Sequence, residues 1–577
     1  METQIGQTIA LPEALRAEYS EAQEAWRAGD NTRRLWNADA TLWTGRDEAA
    51  WLGWLSVIDN ELRDIETVEE FARQVRAEAF ADVLLLGMGG SSLGPEVLAR
   101  SLGSAPHFPR VHILDSTDPQ RVRRFAGGID PARTLFIVSS KSGTTLEPNA
   151  LMDYFFALTS AAVGGDDGAA GRRFVAITDP GSPLEKTAHA RRFRRVFHGD
   201  PRIGGRYSVL SKFGLVPLAA SGGDARAFLT AASGMARACG SAVPPPDNPG
   251  VALGLVIGVL ARAGRDKLTI VASPSVETFG LWAEQLLAES TGKDGRGVIP
   301  VADEPLGAPS VYGADRLFVF IRDAEHADAA QDRAIESLQR AGQPVVRIGL
   351  RSPAMLAQEF FRFEIATAVA GAVLGVNPFD QPDVEASKVM TRAITEAFEK
   401  TGALPAPPPE FERDGVALHA DRPNAQALRH AGAAATLESW FRAHLGRIRR
   451  GDYFALLAYI DADDARLRRL QDLRAAVRDA KRVATCLQFG PRFLHSTGQA
   501  YKGGPNTGVF LQLTAQPARD LDIPGRKARF GVIEAAQAAG DGRVLAERGR
   551  RILHVHIAGD LDAGLAVVEA ALRRALQ

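Results

Sequence analysis

Two cysteines in 577 residues, Cys239 and Cys486, far apart and in no CxxC pair, exclude a disulfide framework and a structural zinc cluster. As free thiols they read as small buried apolar residues. Charge imbalance is missing too: the formal net charge is -1 at pH 7, which gives no global pull toward nucleic acid or an anionic membrane. Long hydrophobic runs are absent, since the longest, Val251 to Ala261, is too short to span a bilayer and is followed by Arg262. Met1 to Ala40 is studded with Glu, Arg and Asp, which excludes a signal peptide there. These absences predict a cytoplasmic protein with no membrane and no nucleic-acid partner. Lysine is scarce, only ten of the 68 basic residues. Lys141, Lys293, Lys388 and Lys502, each in a Gly-, Ser- or Pro-rich context, are therefore candidates for phosphate or oxyanion chemistry, with solvated surface lysines as the alternative.

What is present begins with Ser139-Ser-Lys-Ser-Gly-Thr-Thr145, five hydroxyls, a lysine and a glycine directly after the apolar run Leu135–Val138. The apolar-periodic segment Leu146 to Leu158 follows, so the spacing predicts strand, tight loop, helix. An anion over that helix N-terminus would meet unpaired N–H groups and the positive end of the dipole. Ordinary turn chemistry, with Thr144 or Thr145 capping the helix, accounts for the same residues. A second loop, Gly87-Met-Gly-Gly-Ser-Ser92, follows the apolar run Val83–Leu86 and precedes a helical pattern with Pro95 in its first turn. It has neither the Walker spacing nor the third glycine of the dinucleotide fingerprint. Two such units suggest one phosphate approached from two sides of a parallel sheet, and a sugar phosphate suits them better than a nucleotide.

The chain is too long for one core, and strands alternate with helices along much of it. Expected strands are 83–86, 111–114, 135–138 and 174–177, then 268–272, 317–321 and 344–349. The fold class is α/β, with two doubly wound parallel-sheet domains at 76–245 and 246–400, divided near Pro244–Pro249. Residues 1–75 read as an N-terminal helical segment whose tryptophans pack on a domain surface. Residues 401–415 form a Pro-rich linker. Residues 416–577 read as a smaller α/β region of helical patterns followed by strands Val509–Leu513 and Arg551–Ile557.

Five motifs stand in order: Gly87–Pro95, Ser140–Thr145, Gly204-Gly-Arg-Tyr-Ser208, Gln285-Leu-Leu-Ala-Glu-Ser-Thr-Gly-Lys293 and Asn377-Pro-Phe-Asp-Gln-Pro-Asp-Val-Glu-Ala-Ser-Lys388. Together they resemble the glucose-6-phosphate isomerase family, built from two sugar-isomerase domains, over roughly residues 75 to 400. The remainder is similar to the isomerase part of bifunctional transaldolase/glucose-6-phosphate isomerase proteins, with no transaldolase activity expected. The resemblance implies an aldose–ketose isomerase acting through an enediolate, without cofactor or metal, in a homodimer whose site can borrow a residue from the neighbouring subunit. It implies phosphate or substrate binding by Gly90, Ser91, Ser140, Lys141, Ser142, Thr145 and Gln381. Such chemistry needs a carboxylate base, a fixed cation beside the developing oxyanion and an acid that opens the sugar ring. Glu289 is the candidate base. It lies at a helix C-terminus, where the dipole disfavours a carboxylate, although a solvated helix-end glutamate fits the same position. Arg206, presented by paired glycines, is the candidate cation, and Lys388 the contact near the ring oxygen.

Histidine departs from the family pattern. Between Glu289 and Gln381 the only histidine is His326, in an acidic, exposed-looking stretch. His495, in Phe493-Leu-His-Ser-Thr-Gly-Gln499, comes after Lys388, and is expected to perform ring opening from a new place in chain order; a structural histidine is the alternative. Rival functions are another sugar-phosphate isomerase of the same class, acting on mannose or amino-sugar phosphates, and a non-catalytic sugar-phosphate sensor, which would have no use for Glu289 and Arg206.

Overall fold

The structure, a computed structural model, describes residues 6–405 and 407–577. It is α/β throughout, with three sheets of mainly parallel strands. The first described strand, β1 (Gln7–Ala10), runs antiparallel along the edge of a sheet otherwise built from residues 267–350. The N-terminal segment is thus not purely helical. Its tryptophans do pack: Trp43 Nε1 donates to the Ala368 carbonyl at 2.8 Å, Trp36 Nε1 to that of Cys239 at 2.9 Å, and Trp54 stacks on Tyr207 with ring centroids 5.2 Å apart. Both cysteines are free and buried.

The first large sheet contains β2 (Asp82–Gly87), β3 (Arg110–Leu114), β4 (Thr134–Ser139), β5 (Phe174–Thr178) and β6 (Arg195–His198), ordered β3-β2-β4-β5-β6 and parallel throughout. Every residue of β2 and β4 is buried, as expected where helices cover both faces and the strand is apolar without alternation. Pairing of Gly87 with Ser139 ends both strands at the same level. That register sets the two hydroxyl loops side by side at the carboxyl edge, where doubly wound sheets bind ligands.

The second sheet comprises β7 (Lys267–Ala272), β8 (Ile299–Val301), β9 (Arg316–Asp323) and β10 (Val345–Leu350), with β1 on its edge, in the order β1-β10-β9-β7-β8. Helices Pro249–Arg262 and Leu356–Leu374 lie against each other behind it, almost wholly buried, the first apolar on all sides and the second carrying a buried Arg362–Glu359 pair (3.0 Å). No described helix is long and apolar enough to cross a membrane.

The C-terminal region holds more sheet than its sequence suggested: β11 (Phe411–Arg413), β12 (Val416–His419), β13 (Tyr453–Tyr459), β14 (Ala484–Phe489), β15 (Gly508–Ala515) and β16 (Arg551–Ile557), ordered β11-β12-β16-β15-β13-β14. The helical reading of 416–508 fails at β13 and β14. Tyr453–Tyr459 is an unbroken apolar run, buried at all seven positions, and periodicity cannot separate such a strand from a buried helix. This region is not a loose appendage. Ile299 and Val301 of β8 share one hydrophobic cluster with Tyr453, Ala455 and Phe510. The fully buried Arg316–Glu304 pair (3.0 Å) reaches across, with Glu304 accepting from the Thr485 backbone N–H at 2.9 Å. Arg492 is held by Asp115 (2.6 Å) and Glu96 (2.5 Å), which belong to the segments around the first large sheet. Removing one partner of such a buried pair costs about 3–5 kcal/mol, so these ties fix where the segment just after Arg492 lies.

Candidate active site

The helix Phe279–Thr291 carries Glu289 in its last turn, 7% exposed, so the solvated helix-end alternative does not describe it. Gln285, one turn earlier, donates from Nε2 to Glu289 Oε2 at 3.1 Å and to the His495 carbonyl at 2.8 Å. Opposite stands Arg206, 2% exposed, in the short turn Gly205–Tyr207. Its Nε donates to Ser290 Oγ at 2.8 Å, Nη1 to Gln381 Oε1 at 2.9 Å, and Nη2 to the carbonyls of Pro378 and Asp380 at 2.8 and 3.0 Å. Nη1 lies 3.5 Å from Glu289 Oε1. Backbone carbonyls and two neutral side chains thus hold the guanidinium in one place without discharging it. This is the fixed cation that oxyanion stabilisation requires.

The loop Asn377–Gln381 that receives Arg206 is itself anchored by Lys293. The buried Nζ donates to the carbonyls of Ser290 and Asn377 at 2.8 and 2.5 Å and pairs with Asp380 at 3.1 Å. Burial, then the charge of Arg206, push this ammonium down to about 7. Asn377 Nδ2 also reaches Asp47 Oδ1 at 2.9 Å, which ties the N-terminal segment to the same loop.

His495 arrives from the C-terminal region within the same chain. Its Nε2 lies 2.8 Å from Glu147 Oε1, and Glu147 also accepts from Gln537 Nε2 at 2.5 Å. Gln537 Oε1 in turn accepts from the Thr117 hydroxyl at 2.9 Å. Burial pushes the Glu147 carboxyl up, but the charge and hydrogen bond of His495 outweigh it, with a smaller contribution from Lys388, and the carboxyl is held below its usual range. A carboxylate so held fixes the orientation of the imidazole.

The phosphate loops converge on this group. Glu147 lies in the first turn of the helix Leu146–Ala162, directly after the hydroxyl loop. Thr145 occupies that helix's N-cap but makes no capping bond; its hydroxyl accepts from Ser140 Oγ at 3.2 Å. Ser142 and Thr144 hydroxyls lie 3.0 Å apart, and Gly143 adopts φ +67°, the left-handed turn that lets the loop fold over the helix end. Lys141 bends away, its Nζ paired with Asp179, so only its backbone stays with the hydroxyls. In the other loop Gly90 approaches Gly205 so closely that a β-carbon would sit 1.9 Å from the Gly205 carbonyl oxygen. Any side chain there would push Arg206 out of place. Ser91, next in the helix Gly90–Leu102, is 7% exposed.

Lys388 stands apart from the cluster. It lies inside the helix Pro382–Thr401 rather than in a loop leading to it, its side chain 41% exposed and paired with Glu385 at 2.8 Å. His326 pairs with Asp323 at the end of β9 and is 61% exposed. Reasoning from sequence missed Glu147, Gln285 as a bridge, Ser290 and Gln537. Glu147 offered one signal, an acid two residues beyond the hydroxyl loop, but its partner is 348 positions away.

Residues 62–299 match the family model for phosphoglucose isomerase. The glucose-6-phosphate isomerase of Rubrobacter xylanophilus is 31% identical over 380 residues, 57% of this chain and 86% of that protein. That of Thermus thermophilus is 30% identical over 390 residues, 60% of this chain and 90% of its own. Among solved structures, a hypothetical protein of Thermus thermophilus superposes with a TM-score of 0.57 at 25% identity, covering 67% of this chain and 99% of its own. A glucose-6-phosphate isomerase of Chlamydia trachomatis shares the fold, with a TM-score of 0.52 at 22% identity over 64% of this chain and 78% of its own. With the third and fourth of its motifs meeting at one buried arginine and one buried glutamate, and with relatives of this identity matched over most of their length, the chain belongs to the phosphoglucose isomerase family.

Proposed function

We propose that this protein interconverts glucose 6-phosphate and fructose 6-phosphate by moving one proton between C1 and C2, with Glu289 as the base. The observation that carries this reading is the buried Glu289–Arg206 pair, 3.5 Å apart, with the guanidinium fixed by four further acceptors. The ring is opened first. His495, oriented by Glu147, gives a proton to the ring oxygen as its bond to C1 breaks, and the proton released by the anomeric hydroxyl returns to the imidazole. Lys388, on the exposed rim, adds positive charge on this side. Glu289 then takes the proton from C2 of the open aldose, and the electron pair left behind passes into an enediolate whose oxygen faces Arg206. The O2 proton passes to O1, which moves the negative charge onto O2, and return of the Glu289 proton to C1 as O2 becomes the carbonyl completes the ketose, so no proton, electron or atom is gained or lost. The 6-phosphate is assigned to Gly90, Ser91, Ser140, Ser142 and Thr145, with the Lys141 backbone N–H and the free N-terminus of the helix Leu146–Ala162; Gln381 holds Arg206 and borders the sugar. The phosphate end contributes binding and orientation rather than proton transfer.

The test is a coupled assay on purified protein with fructose 6-phosphate and, in parallel, mannose 6-phosphate. Glu289→Gln should lower kcat by about 100- to 10,000-fold, the usual contribution of a positioned acid–base group, and leave sugar-phosphate affinity intact. Robust turnover by the variant would remove Glu289 from the role of base.

A further inference from the structure

A second cavity, of about 870 Å³, lies in the C-terminal region, away from Arg206 and Glu289 and lined by none of the residues assigned to catalysis. It opens on one face of the third sheet at the carboxyl ends of β15 and β16, and its volume falls in the range of small-molecule pockets, about 300–1,000 Å³. The parallel strand order β16-β15-β13-β14 reverses direction between β13 and β15, and Tyr459, Thr514 and Gln516 beside that reversal all line the cavity. Open α/β sheets bind ligands at such a point.

Its walls have a definite chemistry. Ile394, Val532, Ala535, Ala539 and Ile552 give an apolar surface. Against it the strand pleat brings three histidines to one face: His419 pairs across strands with His554, and Thr514 with His556. The His419 and His554 rings lie 30° from parallel with centroids 5.4 Å apart. Thr514 Oγ1 stands 2.7 Å from His554 Nε2 and 2.9 Å from His556 Nδ1. A hydroxyl has one proton, so it donates to one ring and accepts from the other. Two neutral imidazoles in such a chain leave one N–H donor and one bare nitrogen acceptor on their far sides, whichever way the chain runs. Burial first, then neighbouring imidazoles, push His554 down to about 3 and lower His556, and burial lowers His419 against the charges of Glu412 and Glu410. Among the described residues, three polar atoms of side chains that line the cavity are without partners: His419 Nδ1, the Tyr459 hydroxyl, and Oε1 of Glu534, a side chain 7% exposed. The acids on the wall are Asp421, Asp520, Glu547 and Glu534, whose carboxyl burial pushes well above its usual range, against Arg543 alone, and Arg543 already pairs with Glu547 at 3.0 Å. An anion would meet acids and neutral imidazoles. The sugar phosphates of the main site are therefore unsuitable occupants.

We propose that this cavity binds an uncharged heteroaromatic molecule of nucleoside size, its ring between the apolar wall and the imidazole faces and its donor–acceptor edge on the His554–Thr514–His556 chain. Flat apolar faces with alternating donors and acceptors around the rim are what this lining complements, and the excess of acids selects against phosphorylated forms.

The experiment is isothermal titration calorimetry of the full chain with adenosine, with AMP as the anionic counterpart. Adenosine should bind one per chain, at least about ten-fold more tightly than AMP, and saturating fructose 6-phosphate should leave its affinity unchanged. Ala535→Trp, which fills the cavity from an exposed helix position, and Thr514→Val, which removes the shared hydroxyl, should each weaken adenosine by about ten-fold or more while turnover of fructose 6-phosphate certifies the fold. No heat with adenosine at millimolar concentration, equal affinity for AMP, competition by fructose 6-phosphate, or undiminished binding by both variants would each overturn the assignment.

Discussion

Glu147→Gln separates ring opening from proton transfer. The substitution keeps the shape of a side chain that is 3% exposed and still offers an oxygen to Gln537, but it removes the charge 2.8 Å from His495 Nε2. A hydrogen bond to a charged group contributes about 1.5–3 kcal/mol, so ring opening through His495 loses that much support, and turnover of the cyclic sugar should fall about 10- to 150-fold. Folding loses support as well, because the folded protein holds this carboxyl below its usual range and breaking one side of a buried pair costs about 3–5 kcal/mol, so turnover is compared at equal folded fraction. The control is the affinity of 5-phosphoarabinonate, an open-chain aldonate phosphate that sets a carboxylate where the enediolate develops. It needs Arg206 and the phosphate loops but no ring opening, so Glu147→Gln should bind it within about three-fold of the native protein, a shift under 1 kcal/mol. Native turnover in the variant, or an inhibitor affinity that falls in step with turnover, would refute the reasoning.

Arg206→Lys cannot reproduce five planar donors and should cost at least about 100-fold in kcat/KM, with 5-phosphoarabinonate affinity falling alongside; a loss confined to KM would argue against an oxyanion role. Lys388→Ala should leave the urea midpoint unchanged, since its exposed pair with Glu385 contributes at most about 1 kcal/mol, while kcat/KM for fructose 6-phosphate drops more than about ten-fold; unchanged kinetics would place Lys388 outside the site. Glu284, on the helix that carries Glu289, is pushed by burial up to about 7, against hydrogen bonds from Gln488 and the Ala302 N–H. The raised carboxyl stabilises the fold below the unfolded value of 4.5 and loses that contribution as pH climbs through 7, on the order of 3 kcal/mol. Denaturant midpoints should therefore fall from pH 4.5 to 8 in the native protein and much less in Glu284→Gln; parallel profiles would discount the shift.

What the sequence disclosed, and what it hid, follows from the range over which each feature is encoded. Strands β2 and β4 were legible because an apolar run ends in small hydroxyl residues and a helix begins at once, all within about twenty residues, close to the length of one strand–loop–helix unit. The N-terminal strand β1 was not, since four residues acquire strand conformation only by pairing with Val345–Ile348. β13 hid in an apolar run bordered by an arginine-rich helix, where nothing local tells strand from buried helix. Site residues divide the same way. Arg206 and Glu289 sit in local motifs, whereas the partner of His495 is fixed by three-dimensional ties, with Arg492 bound to Asp115 and Glu96 and Gln537 bound to Glu147. Lys141 shows the limit from the other direction. Its position inside the hydroxyl loop pointed the ammonium at phosphate, but Asp179, at the end of the neighbouring strand, lies closer than any hydroxyl and takes it. A motif fixes where the backbone of a charged residue goes; the nearest opposite charge decides where its side chain points. The role proposed for His495 follows the same rule: the carboxylate that holds its ring, Glu147, is fixed by the helix after the hydroxyl loop, 348 positions away in the chain.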